Sequence, residues 1–216
     1  VGNYNIDLVM GTLTHWPAQG TEMMLEHSAL RPGGSAGNCA LAAAAMQLPH
    51  CAVGCQGDDA FTPWLAAQFP GGSARWPQYP CETSLTVAIT HPNKERSFLS
   101  NHGHITRLTA GDVLSQLPAA AGEGDIVLLC GTFLCTGLLS DYPQLLATLR
   151  QRGFTLAVDT GWPPQGWSDP LRHEVDRWLG DCDWLLLNDV ETLQLAGHPT
   201  LAEAAAALAA RLSGRG

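Results

Sequence analysis

Apolar residues run along this chain in short bursts whose period switches between two and about 3.6, with glycine- and proline-rich breaks between them. YNIDLVMG near the start reads as a strand, a helix follows over about Gly37 to Gln47, CAVGCQG reads as a second strand, and a helix runs from about Asp59 to Gln68. That order predicts a βαβ opening. The middle differs: SLTVAITHPNKERSFLSN alternates on both sides of the turn HPNKE, as a hairpin does, and GTEMMLEHSALRP supplies further strand-like residues beside it. From residue 125 onward DIVLLCG, FTLAVDTG and DWLLLND alternate with the helical stretches YPQLLATLRQRG and DPLRHEVDRWLG, and two more helices close the chain. Near-continuous apolar strands between helices imply a mainly parallel sheet covered on both faces, so the expected fold is α/β with a small β appendage.

In an open α/β sheet, ligands sit beyond the carboxyl ends of the strands, which directs attention to the residues there. Asn5 and Asp7 stand two apart on one strand, so both side chains point to one face; an amide beside a carboxylate can grip a vicinal diol. In RPGGSAGNCALA, Gly33 and Gly34 precede an alanine-rich helix whose first N–H groups have no partner within the helix, and Asn38 offers both a donor and an acceptor. Taken alone, this stretch is also an ordinary helix entry. NDVE, with Asn188 and Glu191, likewise reads as a helix capping box. Gly57, Asp58, Gly131, Thr132 and Asp159 complete the strand ends. His102 and His104 lack the carboxylate or C-x-x-C neighbours of a zinc site and read as structural or surface residues. AVGCQGDD lacks the third glycine of a dinucleotide turn, and no P-loop is present.

Composition narrows the partners. Twenty acidic against eleven basic residues give a formal charge of -9, and the one lysine, Lys94, leaves no cluster able to follow a phosphate backbone, so nucleic acid is not expected. Seven scattered cysteines without C-x-x-C pairs suit reduced thiols in a cytoplasm. Apolar runs such as AAAALAA are too short for a bilayer, and no leader opens the chain, so no membrane is expected.

GNYNID, PGGSAGN, GDD and NDVE occur in the order seen in the ribokinase-like (PfkB) carbohydrate kinases, and the chain resembles that family over nearly its whole length. The resemblance implies a ribokinase-like three-layer α/β/α domain over residues 1–216, its mainly parallel sheet joined by a small β-sheet lid with strands from about 12–30 and 84–105. It further implies that Asn5, Asp7, Gly33, Gly34 and Asn38 bind sugar hydroxyls, with Asn101 in the lid segment ERSFLSNHG closing over them, and that the lid joins two subunits into a homodimer. Asn188 and Glu191 match the element that organises magnesium and the nucleotide phosphates, Glu191 through metal-bound water. The implied activity is ATP-dependent phosphorylation of a hydroxymethyl group on a sugar, sugar acid or nucleoside, by a cytoplasmic enzyme using ATP and Mg2+. The family's G-A-G-D segment, which carries the catalytic base, has no match after NDVE. TAGD at Asp112 and GEGD at Asp125 lie upstream and read as a helix entry and a turn. The base is accordingly expected beyond Gly216, and the 216-residue chain alone is expected to be inactive; the alternative is a catalytically silent sugar-binding or regulatory protein that keeps only the acceptor pocket. The apolar stripe Leu201, Leu208 and Leu212 is expected to need a further packing partner.

Overall fold

Strand β1, Asn5–Gly11, occupies the middle of a four-stranded mixed sheet because it has a partner on each side. β2, His27–Gly33, runs antiparallel along one edge of β1, and β3, Leu85–Thr90, runs parallel along the other; β4, Arg96–Ser100, returns antiparallel beside β3. The expected HPNKE hairpin joins β3 to β4: the His91 N–H donates to Glu95 O at 2.9 Å, the Lys94 N–H returns to His91 O at 2.9 Å, and Lys94 takes the left-handed φ of 69°. Of the strand-like residues in 12–30, only those from His27 onward enter the sheet. The computed structural model describes residues 1–214 and contains two compact units, Tyr4–Ile105 and, separately, Thr106 onward with Val1–Asn3.

Within the first unit, helix α1, Ser35–Ala45, follows β2 at once, two residues earlier than its pattern suggests. Gly37 lets it come close to the core, since a Cβ there would lie 3.4 Å from Phe69 Cζ and 3.6 Å from Tyr4 Cδ1. Tyr4, Phe69 and Trp76 form an aromatic cluster with ring centroids 4.5, 5.0 and 5.7 Å apart, and the Trp76 indole N–H donates to Ala52 O at 3.0 Å. The expected strand CAVGCQG is not one. Its residues Ala52, Val53 and Cys55 are buried, but its only ladder contact is a bridge between Gln56 and Gln78, because β3 takes the parallel position beside β1. Core burial alone produces the apolar run there, and the βαβ opening is replaced by an antiparallel pair, a helix and a later parallel strand. Helix α2, Thr62–Ala67, starts after Asp59 rather than at it, since the Asp59 carboxylate accepts from the Phe61 and Thr62 N–H groups at 3.0 and 3.2 Å.

The second unit holds a parallel sheet in the order β5, Ile126–Cys130, β6, Thr155–Asp159, and β7, Trp184–Leu185. Helix α3, Ala110–Gln116, and the short α4, Thr136–Leu139, flank β5 in sequence; α5, Tyr142–Gln151, and α6, Asp169–Leu179, flank β6. Leu145, Leu146 and Leu149 of α5 and Val175, Trp178 and Leu179 of α6 are buried at helical spacing, together with Leu156 and Val158 of β6. The buried Asp183 accepts the Leu156 N–H at 2.8 Å and lies 3.4 Å from the Arg150 guanidinium, so its charge is compensated. DWLLLND yields only a two-residue strand before the chain turns into helix α7, Asp189–Ala196. In the last helix, α8, Leu201–Ala209, it is Ala204 and Leu208 that are buried while Leu201 is 49% exposed, so the expected stripe is displaced by part of a turn. Among the described residues no helix is long and apolar enough to cross a membrane.

His104 ties the first unit together. It is fully buried, its Nδ1 accepts the Ser84 N–H at 3.0 Å, and the proton this leaves on Nε2 is donated to Tyr4 O, also at 3.0 Å. Burial holds the imidazole neutral and lowers its pKa from 6.5 to about 4, against the Tyr4 bond and the Asp59 charge, which both favour the proton. A depressed base stabilises the fold fully above its unfolded pKa and loses that contribution as pH falls. Chemical denaturation from pH 7 downward is therefore expected to show stability falling between 6.5 and about 4, by roughly 3 kcal/mol from this residue. His104→Asn should be less stable at pH 7 and show a shallower decline over the same window. Equal slopes for the two proteins would contradict this account.

Candidate functional site

Asn5 and Asp7 lie on the same face of β1, and the Asn5 Nδ2–H donates to Asp7 Oδ1 at 2.7 Å. Register brings Gly33 of β2 opposite Asn5 and Arg31 opposite Asp7. The carboxylate leans toward Gly33 rather than Arg31: a Cβ built on Gly33 would overlap all three carboxylate atoms of Asp7. A side chain at position 33 would therefore have to turn the Asp7 carboxylate aside. Gly34 is required by conformation, since it caps α1 at φ 88°, in the region glycine favours. Burial raises the pKa of the half-buried Asp7, while the Asn5 bond and the nearby Arg96 charge act in the opposite direction. Asn38, exposed on the first turn of α1, donates its backbone N–H to Gly34 O at 2.8 Å and makes no side-chain hydrogen bond among the described residues.

Asn101 is committed differently. Its Oδ1 accepts the Leu85 N–H at 2.7 Å and its Nδ2–H donates to Thr83 O at 3.2 Å, so its amide clips the end of β4 to the start of β3. A cavity of about 460 Å3 opens there, lined by Asp59, Phe61, Glu82, Leu99, Ser100 and Asn101 among others. Asn5, Asp7, Gly33, Gly34 and Asn38 are not in its lining; Asn5 and Gly33 are buried, Asp7 is half-buried and Asn38 is exposed. Asp59 anchors this region by accepting the Thr83 N–H at 2.7 Å and the Thr83 hydroxyl at 2.6 Å. Burial works to raise its pKa, but these bonds and those from Phe61 and Thr62 outweigh it and hold the carboxyl below its ordinary range.

In the second unit Asn188 and Glu191 form the capping box of α7: Asn188 Oδ1 accepts the Glu191 N–H at 2.9 Å, and Glu191 Oε2 accepts the Asn188 N–H at 3.1 Å. The cap uses one carboxylate oxygen of Glu191, which is only 8% exposed. Gly131 and Gly161, after β5 and β6, take φ 63° and 66° and approach closely enough that a Cβ on Gly161 would touch Gly131 Cα at 3.6 Å. Asp159 ends β6, half-buried; burial raises its pKa against the bond it accepts from the Gly161 N–H at 3.0 Å. Thr132 is buried and shares a hydrogen bond with the Tyr142 hydroxyl at 2.9 Å. Asp112 sits in the capping box of α3, and Asp125 accepts the Gly122 N–H in a turn before β5. Among the described residues no group of three or more His, Cys, Asp or Glu side chains is placed to hold a metal.

A family model described as pfkB family carbohydrate kinase matches residues 1–214. The chain belongs to the pfkB family of carbohydrate kinases. No curated protein matches the sequence. The fold is ribokinase-like: a ribokinase from Arabidopsis thaliana, solved with ribose and ATP, superimposes with a TM-score of 0.69 at 19% identity, over 98% of this chain and 67% of that one. A Thermotoga maritima ribokinase gives 0.68 at 20% identity over 97% and 67%, and a Xylella fastidiosa fructokinase gives 0.74 at 17% identity over 96% and 67%. The chain thus spans about two-thirds of the length of these kinases.

In this pfkB-family chain the structure brings Asn5, Asp7, Gly33 and Gly34 together at the junction of β1, β2 and α1, with Asn38 one turn further on. Sequence reasoning missed Asp59, although it is the second aspartate of GDD; its signal was the threonine pair Thr62 and Thr83 that it grips. It also missed Arg31 and Thr86, which lie in the same cross-strand row as Asp7 and become neighbours only once the register is known.

Because the Asp7 carboxylate occupies the space of a Gly33 side chain, Gly33→Ala is expected to turn it aside and break its bond to Asn5, destabilising the protein by about 1 kcal/mol. In an Asp7→Ala background the same substitution should cost much less. Denaturation midpoints of the four proteins in this cycle check the coupling, and additive effects would exclude it.

Proposed function

We propose that this chain carries the acceptor site of a kinase that transfers a phosphoryl group from ATP to a hydroxymethyl oxygen of a sugar, sugar acid or nucleoside. The observation that carries this reading is the bonded Asn5–Asp7 pair, a buried amide holding a half-buried carboxylate beside a glycine that leaves room for it. In this reading Asp7 accepts hydrogen bonds from two adjacent hydroxyls, Asn5 fixes the carboxylate's rotation, and Asn38 adds a donor and an acceptor from the start of α1. Phosphoryl transfer has a loose transition state, so holding the acceptor oxygen in place is a large part of catalysis. Strands β2, β3 and β4 then act as the lid that excludes water, with Asn101 stiffening its hinge end, and a homodimer through the lid completes the reading.

Asn188 and Glu191 are the proposed nucleotide-side residues. Mg2+ takes one or two protein carboxylates and completes its shell with water and phosphate oxygens, and a largely buried Glu191 with one oxygen outside the cap fits that requirement. When bound, the ion would neutralise charge on the phosphates. One observation favours a second reading, that of a sugar-binding protein without chemistry: Asp112 and Asp125, in the two segments resembling the family's base-bearing one, are both held in local turns. Sugar binding without any phosphate ester formed from ATP would select it.

Asp7→Ala should weaken binding of an accepted sugar by about 1.5–3 kcal/mol, or roughly 10- to 150-fold, as expected for a hydrogen bond to a charged group. Asn38→Ala should act in the same direction. Calorimetric titration with a panel of sugars and nucleosides measures both; unchanged affinity in both variants for a sugar that binds the parent would end this assignment.

A further inference from the structure

The face of the β sheet that carries Asn5 and Asp7 also carries two arginines from flanking strands. Arg31 is the register partner of Asp7 on β2, and Arg96 on β4 falls on the same face, since Asp7 pairs with Thr86, Thr86 with Ser100, and Arg96 lies four residues before Ser100. Both are exposed, and among the described residues neither guanidinium has a hydrogen-bond or ion-pair partner. Carboxylates outnumber cations twenty to eleven in this chain; Arg150 pairs with Asp181 and Asp183, and Arg172, Arg177 and Arg211 take one each. Asp7 would be the natural partner of Arg31, but it leans away onto Gly33 and is held by Asn5. Arg96 lies over the Phe98 ring, 5.6 Å from its centroid, which orients it along the sheet.

We infer that the acceptor is anionic, a monosaccharide derivative bearing a carboxylate or a phosphate ester, with its hydroxyls on Asn5 and Asp7 and its anionic group between Arg31 and Arg96. The inference rests on the acceptor reading above and narrows its substrate class. A diol needs an amide and a carboxylate, which the first pair supplies; a guanidinium instead meets carboxylate or phosphate through two parallel N–H···O bonds. The negative Asp7 repels an anion placed directly on it, so the two ends of the ligand must be separated. Arg31 is one strand from Asp7 on one side, about 4.8 Å, and Arg96 is two strands away on the other side, about 9.6 Å across and roughly 13 Å further along, so a ligand spanning the two edges lies across β1 and β3. Neutral sugars and nucleosides leave Arg31 without a partner and leave Arg96 only its charge near Asp7 and its place over Phe98.

The test is calorimetric titration of the full chain with two matched pairs, glucose with gluconate and fructose with fructose 6-phosphate. At least one anionic member should bind about tenfold or more tightly than its neutral counterpart, and the preference should shrink as salt is raised. Gluconate against fructose 6-phosphate separates carboxylate from phosphate. Arg31→Gln combined with Arg96→Gln should remove the preference, weakening the anionic ligand by about tenfold or more beyond any change for its neutral counterpart. Neutral sugars binding as tightly as both anionic ones, no binding of either anion, or an equal loss for charged and neutral ligands in the arginine variant would each overturn the inference. Asp7→Ala keeps the two claims apart: it should weaken every ligand that binds, and if it weakens none, the acceptor reading itself fails whatever the arginines do.

Discussion

The alternation of β1 is the constraint on which the first unit depends. Ile6 is completely buried, and its neighbours Asn5 and Asp7 must therefore face the other way. A slip of one residue against β2 or β3 would expose Ile6 and bury two polar side chains on the core side, so the register is strongly specified. The placement of Asn5, Asp7 and their cross-strand neighbours follows from that register. Gly33 faces Asn5 because Ile6 faces Pro32, and Thr86 and Ser100 extend the row of Asp7 because Val87 and Leu99 extend that of Leu8. Hydrophobic burial on one side of the sheet thereby sets the chemistry on the other.

Two carboxylates in this unit show opposite solutions to partial burial. Asp59 is surrounded by donors from Phe61, Thr62 and Thr83, which stabilise its charge and tie the turn at 59–62 to Thr83. Asp7 has one donor from Asn5 and a more distant cation, and burial dominates its balance. A carboxylate whose lone pairs are not fully occupied by protein donors retains capacity for a ligand's hydroxyls, whereas Asp59 is saturated. The same distinction separates Asn38, without a side-chain bond among the described residues, from Asn101, whose amide uses both its oxygen and its nitrogen to clip the end of β4 to the start of β3.

Much of this was legible in the sequence where local rules decide. The β3–β4 hairpin, β5 and β6, and the capping boxes at Thr109 and Asn188 follow from turn chemistry, apolar runs and cap spacing. Illegible were the features that depend on which strand pairs with which. CAVGCQG has the composition of a strand and the burial of one, yet β3 takes its place beside β1. DWLLLND is cut to two ladder residues by the turn into α7. His104 looked like a surface or structural histidine; only the fold shows that it bridges Ser84 and Tyr4, an interaction spanning 100 residues of sequence. Arg31 carried no local signal, because its position opposite Asp7 is a property of the pairing.

The two capping boxes show how far a motif can carry a functional argument. Thr109 with Asp112 and Asn188 with Glu191 make the same reciprocal bonds, from the capping side chain to the third N–H of the helix and back from the acidic side chain. As local structure they are equivalent. Their settings differ: Asp112 is partly exposed and Glu191 is only 8% exposed, and the longer glutamate side chain accepts its bond on one oxygen. Burying a carboxylate costs free energy that a single cap bond offsets only in part. The same reciprocal bonds therefore stand in two different settings, and it is burial and side-chain length, rather than the letters shared by the motif, that distinguish Glu191 from Asp112.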